Sequence, residues 1–221
     1  MVLREYKRRR NFHNTPEPPA VNVGARRRRE PLRFVIQKHS ATRLHYDFRL
    51  ENQAGILKSW AIPKGISPDP RTKRLAIMTE DHPGAYAGFE GVIPAGNYGA
   101  GRVIVWDAGK YETDKDIDEQ IRAGKVAFNL CGKKVKGRFS LVRLGNNDKQ
   151  WLMVKSRDEN ALPLKKNQKM DDESVLSGKA IESMPDPNAT RREPVSRVGR
   201  AMEFPSEIRP MLAMPVDRPF D

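Results

Sequence analysis

His45, Asp47 and Arg49 occupy alternate positions of the segment Arg43–Glu51, interleaved with Leu44, Tyr46, Phe48 and Leu50. Alternation of this kind reads as a β-strand with one apolar and one polar face. Side chains two apart on such a face start ~6.6 Å from each other, close enough to converge on one ion. The imidazole and the carboxylate suit a divalent metal, and the guanidinium suits a phosphate. His39 lies just upstream in Gln37-Lys38-His39, separated from the strand by Ser40-Ala41-Thr42, a turn short enough to fold it back onto the same face. Two imidazoles and one carboxylate are a common ligand set that leaves positions open for substrate. His82, in Glu80-Asp81-His82-Pro83, is a further imidazole in a polar context, and Lys64 and Arg74 add cations at neighbouring strand ends. Each of these residues has a plainer explanation: single histidines are commonly exposed or hydrogen-bonded, and an Asp–Arg pair on a surface is worth little. The clustering is what favours chemistry.

The elements that must position these residues are short strands. The spacing predicts strands at 33–38, 43–51, 55–62, 73–79, 102–106, 125–130, 135–144 and 150–156, rich in Val, Ile, Phe and Trp and punctuated by Gly and Pro. One helix is expected at 116–123, with Ile117 and Ile121 on one side and Gly124 as a stop. The fold class is all-β with a minor helix. About eight strands fit a closed or nearly closed β-barrel, or a sandwich, and periodicity does not choose between them. Gly91–Gly101 is glycine-rich but matches neither the P-loop nor the dinucleotide fingerprint, and reads as a tight turn into the next strand. Tyr46, Trp60 and Trp106 read as core by parity, and an aromatic content of 7% offers little for a single-strand stacking platform.

Composition narrows the partners. A net charge of +13 points to a polyanion, most often nucleic acid. Residues 1–33 hold ten Lys and Arg against three acidic residues, in two clusters, Lys7–Arg10 and Arg26–Arg29. The first 31 residues therefore read as a basic arm that stays disordered until phosphate orders it. Residues 32–157 form the β domain, 158–204 a disordered linker, and 205–221 turn apolar again like the opening of a further domain. The single cysteine, Cys131, excludes an internal disulfide and reads as packing or turn material. No apolar run is long enough to span a membrane, and the amino terminus lacks a secretory core. A cytoplasmic, nucleoid-associated monomer is the expectation.

With these motifs assembled, the chain resembles the 3′-phosphoesterase domain of bacterial DNA ligase D proteins. The resemblance rests on Gln37-Lys38-His39, Leu44–Glu51, Leu57–Gly65, Glu80–Pro83 and Phe89–Pro94, with Tyr6–Phe12 and Thr15–Pro18 ahead of them. It implies a β-barrel with a groove holding a manganese ion and a phosphate. His39, His45 and Asp47 would be the metal ligands. Arg49, His82, Arg74, Lys64 and Tyr86 would face the phosphate, and Arg10, Glu17 and Glu80 fall at other positions the family uses. The implied activity is removal of a 3′-terminal ribonucleoside and then a 3′-phosphate from DNA ends, leaving a ligatable hydroxyl for non-homologous end joining. Implied partners are DNA 3′ ends, a DNA ligase domain, whose first residues Pro205–Asp221 resemble, and the end-binding protein Ku. One position departs: where the family usually has aspartate, this chain has Asn11, which keeps the hydrogen-bonding shape without the charge. That departure favours a second reading, a non-catalytic module that binds DNA ends and positions a ligase. A generic basic RNA-binding barrel is the third, and leaves the His-Asp-Arg face unexplained.

Overall fold

The computed structural model describes residues 3–21, 31–145, 147–163 and 171–187. Ten strands run in chain order: β1 (Leu32–Ser40), β2 (Leu44–Glu51), β3 (Ile56–Ile62), β4 (Lys73–Met78), β5 (His82–Pro83), β6 (Gly91–Ile93), β7 (Gly101–Glu112), β8 (Lys125–Gly132), β9 (Lys136–Arg143) and β10 (Gln150–Lys155). Their pairing order is β1-β2-β3-β4-β10-β9-β8-β7, and β7 returns to pair with β1. Closure resolves the barrel-or-sandwich alternative: eight antiparallel strands form a barrel, with β5 added to β3 and β6 to β7. Every strand expected from periodicity is present. β7 is far longer than expected, because it pairs with β1 over most of its length, with β6 at one end and with β8 at the other. Gly101 permits the close β1–β7 approach; a Cβ there would stand 2.4 Å from the Ser40 carbonyl oxygen.

The barrel interior takes one face of each strand. Phe34, Ile36, Phe48, Leu50, Trp60 and Trp151 are among its buried members, each contributing roughly 1.5–3 kcal/mol by leaving water. Phe48 stacks on Phe128 at 5.3 Å, and Trp60 meets Trp151 edge-on at 6.1 Å. Trp60 and Trp106 are buried as expected, while Tyr46 is only half-buried and packs edge-on against Trp106. The short helix forms as α2 (Ile117–Arg122), where the Asp116 carboxylate accepts from the amides of Asp118 and Glu119 and Gly124 turns the chain out at a φ of +79°.

Three segments differ from the sequence reading. The amino-terminal segment is a packed layer through residue 21 rather than a disordered arm. Its single-turn helix α1 (Arg4–Arg8), with Leu3 before it, buries Leu3 and Tyr6 against Ile56, Leu57, Tyr86 and Phe89 on the outside of the barrel, and the Tyr6 hydroxyl donates to the Pro18 carbonyl at 2.6 Å. The second cluster, Arg26–Arg29, lies outside the described residues, as does the apolar stretch 205–221. Within the expected linker, residues 171–187 dock along β7. The Val175 amide donates to the Val105 carbonyl at 2.9 Å and the Trp106 indole to the Asp171 carbonyl at 2.8 Å. The buried Lys38 ammonium pairs with Asp172 at 2.8 Å. Finally, Cys131 is an exposed strand residue, not a packed one.

Candidate active site

The outer faces of β1, β2 and β3 form the floor of a cleft of about 300 Å³, and the segment around Arg10, the 80–86 stretch and the 93–99 loop form its walls. Strand parity puts Phe48 and Leu50 inward, so Asp47 and Arg49 face outward. Cross-strand pairing sets Asp47 opposite Gln37 and Ala61, Arg49 opposite Ser59, and His39 opposite His45.

His39, His45 and Asp47 converge, each offering a ligand atom within 4.8 Å of the others. His39 Nε2 donates to the Gly99 carbonyl at 2.9 Å, and His45 Nδ1 donates to the Arg43 carbonyl at 2.9 Å. With those protons committed outward, the remaining ring nitrogens turn their lone pairs toward Asp47, at 3.5 Å for His39 and 3.6 Å for His45. Those separations are long for hydrogen bonds, but they suit atoms that share one ion at ~2.1 Å each. Outward N–H commitment is the arrangement that fixes metal-binding histidines. The donor set therefore fits a divalent transition metal. Burial opposes the Asp47 charge, but the Arg49 guanidinium beside it holds its carboxyl well below the usual carboxylate range.

Arg49 is buried and braced on several sides. Its Nε donates to Gln37 Oε1 at 2.8 Å, Nη1 to Ser59 Oγ at 2.9 Å, and Nη2 to Asp47 Oδ2 at 3.0 Å, while Tyr86 stacks under it at 4.9 Å. Three of its five donors are thus engaged. The residue sits too deep for the surface ion pair that sequence allowed. His82 Nδ1 donates to the Glu80 carbonyl at 2.8 Å with Arg49 Nη1 also 2.9 Å away, and Nε2 accepts from Arg10 Nη2 at 3.2 Å. Burial and the flanking Arg49 and Arg10 push its pKa well below the ordinary imidazole value, so His82 is neutral in the free protein. Arg10 stacks over the Tyr6 ring at 3.9 Å and pairs with Glu17 at 2.8 Å and Glu80 at 3.1 Å. Glu17 also accepts from the Tyr86 hydroxyl at 2.9 Å.

Of the residues singled out in the sequence, His39, His45, Asp47, Arg49, Glu80, His82, Tyr86 and Arg10 line the cleft, and Glu17 supports it from behind. Lys64 and Arg74 do not reach it. Lys64 is exposed just beyond β3. Arg74 shares strand parity with Ala76 and Met78, which point into the barrel, and its Nε is buried there without a partner. Asn11 is exposed, its side-chain oxygen accepts from the His13 amide at 3.1 Å in a turn next to Arg10, and it is not among the residues lining the cleft. Gln37 is the residue that sequence reasoning passed over. It is fully buried, ties Arg49 to the backbone, and donates to the Tyr86 and Phe89 carbonyls at 3.1 and 2.9 Å. Its signal was present: Gln37 lies two residues before His39 in one strand and therefore on the same face. The glycine-rich stretch is likewise more than a turn, since it supplies the Gly99 carbonyl and places Tyr98 in the cleft wall.

Comparison with known proteins adds a family. Residues 37–143 match the model described as the DNA ligase D 3′-phosphoesterase domain. A multifunctional non-homologous end joining protein LigD of Pseudomonas aeruginosa is 43% identical over 98% of this chain and 26% of its own length. A multifunctional non-homologous end joining DNA repair protein LigD of Mycobacterium tuberculosis is 45% identical over 71% of this chain and 20% of its own length. The LigD protein of Mycolicibacterium smegmatis is 40% identical over 73% of this chain and 21% of its length. The chain thus spans about a quarter or less of the curated relatives it matches.

Proposed function

This chain belongs to the family of DNA ligase D 3′-phosphoesterase domains, and we propose that its cleft hydrolyses phosphate esters at DNA 3′ ends during non-homologous end joining. The observation that carries the reading is the convergence of His39, His45 and Asp47, with both histidine N–H groups tied back to carbonyls, beside Arg49 and His82. In this proposal the substrates are a 3′-terminal ribonucleoside and a 3′-phosphate, the metal is manganese, and the partners are DNA ends, a ligase domain and Ku.

The cleft's own charges support a cation requirement. Two buried guanidiniums, Arg10 and Arg49, face three carboxylates, Asp47, Glu17 and Glu80. That balance does not attract a phosphate, and a divalent cation makes it positive. When bound by His39, His45 and Asp47, such an ion supplies Lewis acidity toward a phosphoryl oxygen. Arg49, preorganised by Gln37, Ser59 and Tyr86, offsets charge that builds on the phosphoryl oxygens without having to reorganise. Neutral His82 is a proton acceptor at Nε2, the atom now held by Arg10. An incoming phosphate draws Arg10 toward itself and frees that nitrogen to take the proton lost by attacking water; as the P–O bond breaks, the leaving sugar oxygen takes a proton from solvent and the His82 imidazolium returns its own to solvent.

The deciding experiment incubates purified protein with a duplex carrying a 3′-terminal ribonucleoside or a 3′-phosphate, with manganese and with chelator. Release with manganese and none with chelator is expected. Asp47→Ala and His45→Ala should each lose manganese binding by calorimetry together with release; turnover at the parent rate in both variants would overturn the reading. The non-catalytic alternative drew on Asn11, and that residue stands outside the cleft as a turn former.

A further inference from the structure

Tyr98 is the aromatic among the large apolar side chains that the described residues leave exposed, at 48% of its surface. It belongs to neither hydrophobic cluster, so barrel packing does not account for it. It lines the cleft, one residue before Gly99, whose carbonyl fixes His39. The loop that carries it is anchored: Asn97 donates to the Asn14 and Pro94 carbonyls at 3.3 and 3.1 Å, and the Ala100 amide donates to the Asn97 carbonyl at 3.1 Å. The Tyr98 hydroxyl accepts from Arg9, whose guanidinium stands 4.7 Å from the ring centroid and is itself held by Glu5 and Glu80. The result is a half-exposed ring, pinned at its polar tip, on the rim of the cleft that gathers His39, His45, Asp47 and Arg49.

From this placement we infer that Tyr98 is the wall of a nucleoside subsite: it stacks on the base of the 3′-terminal nucleoside that lies beyond the scissile phosphate. The inference rests on the phosphoesterase reading and adds the chemical class recognised next to the phosphate, a planar nucleobase. Stacking on a single aromatic ring is tolerant of base identity, which suits an enzyme that meets whatever base ends a broken strand. The subsite acts only when a nucleoside is present, so it separates the two substrates. A ribonucleoside end has a base to stack there, and a 3′-phosphate end has none.

The test compares wild type, Tyr98→Ala and Tyr98→Phe on three ends: a terminal ribonucleoside, a terminal abasic ribose and a 3′-phosphate. Tyr98→Ala should lower kcat/KM on the ribonucleoside end by about tenfold more than on the 3′-phosphate end, and Tyr98→Phe should retain most of the difference. Wild type should prefer the ribonucleoside end to the abasic end, and Tyr98→Ala should lose that preference. Equal losses on all three ends, or a Tyr98→Phe loss matching that of Tyr98→Ala, would instead make Tyr98 a brace for Arg9 and overturn the subsite. A second readout needs no turnover: a terminal 2-aminopurine ribonucleoside should be quenched on binding by wild type and Tyr98→Phe, but not by Tyr98→Ala, in the presence of chelator and at low salt. Tyr98-dependent quenching together with no release in the manganese assay would keep the subsite and reject the phosphoesterase reading. Absence of Tyr98-dependent quenching would reject the subsite whatever the activity.

Discussion

Three side chains decide how the cleft behaves in acid and under mutation. His82 has its pKa lowered in the folded state by burial and by Arg49 and Arg10. The unfolded chain, with its His near 6.5, then binds the extra proton first. Stability contributed by keeping His82 neutral is complete above about pH 6.5 and declines as pH falls below it. Asp47, also lowered, adds a second loss that begins near pH 4, where the unfolded carboxyl takes up its proton. Urea midpoints should therefore fall from pH 7 to 5.5 in the parent protein and fall less in His82→Gln; equal slopes would contradict the buried neutral imidazole. Gln37→Ala strands Arg49 Nε and two buried carbonyls, at a cost of about 3 kcal/mol. The same change should lower kcat tenfold or more while leaving manganese affinity within a few-fold, since the Gln37 side chain bonds to Arg49 and to the Tyr86 and Phe89 carbonyls and not to the three proposed ligands. Asn11→Asp should leave release rates within twofold and stability within about 0.5 kcal/mol, because the aspartate would accept the same His13 amide bond.

At the level of elements, legibility followed periodicity. β2 declared itself by strict alternation, and its outward residues are the ones in the cleft. The eight barrel strands were readable for the same reason, whereas their closure was not, because pairing β1 with β7 is a property of distant contacts. Arg74 separates the two kinds of inference: the family resemblance implies that it faces the phosphate, whereas its strand parity sets it with Ala76, and it is not among the residues lining the cleft. The amino-terminal layer and the 171–187 strap were hidden because each is held by few apolar residues and many directional bonds. Leu3, Tyr6 and Ile181 are the main buried anchors, and no periodicity emerges from so few. The strap can be tested directly. A chain ending at residue 163 leaves the buried Lys38 ammonium without its partners Asp172 and Glu182 and bares the Trp106 indole. Its melting temperature should fall by roughly 5 °C or more; an unchanged value would mean the strap is passive.

On the scale of the whole molecule, charge and topology act separately. The excess of +13 belongs to the surface and the amino-terminal clusters, since the cleft carboxylates offset its guanidiniums. Duplex binding should consequently weaken steeply between 50 and 200 mM salt, and replacing Arg26–Arg29 with serine should flatten the log–log slope by up to about 3.6 without altering the chemistry of bound ends. The barrel, for its part, divides each wall strand between two duties, with Phe48 and Leu50 in the oil and Asp47 and Arg49 in the cleft. A chain that mispaired β2 by a single position would invert that division, sending a carboxylate inward and a phenyl ring outward. The cation proposed for His39, His45 and Asp47 would load only onto the correctly threaded barrel. During biogenesis, metal uptake would thus proofread strand alignment.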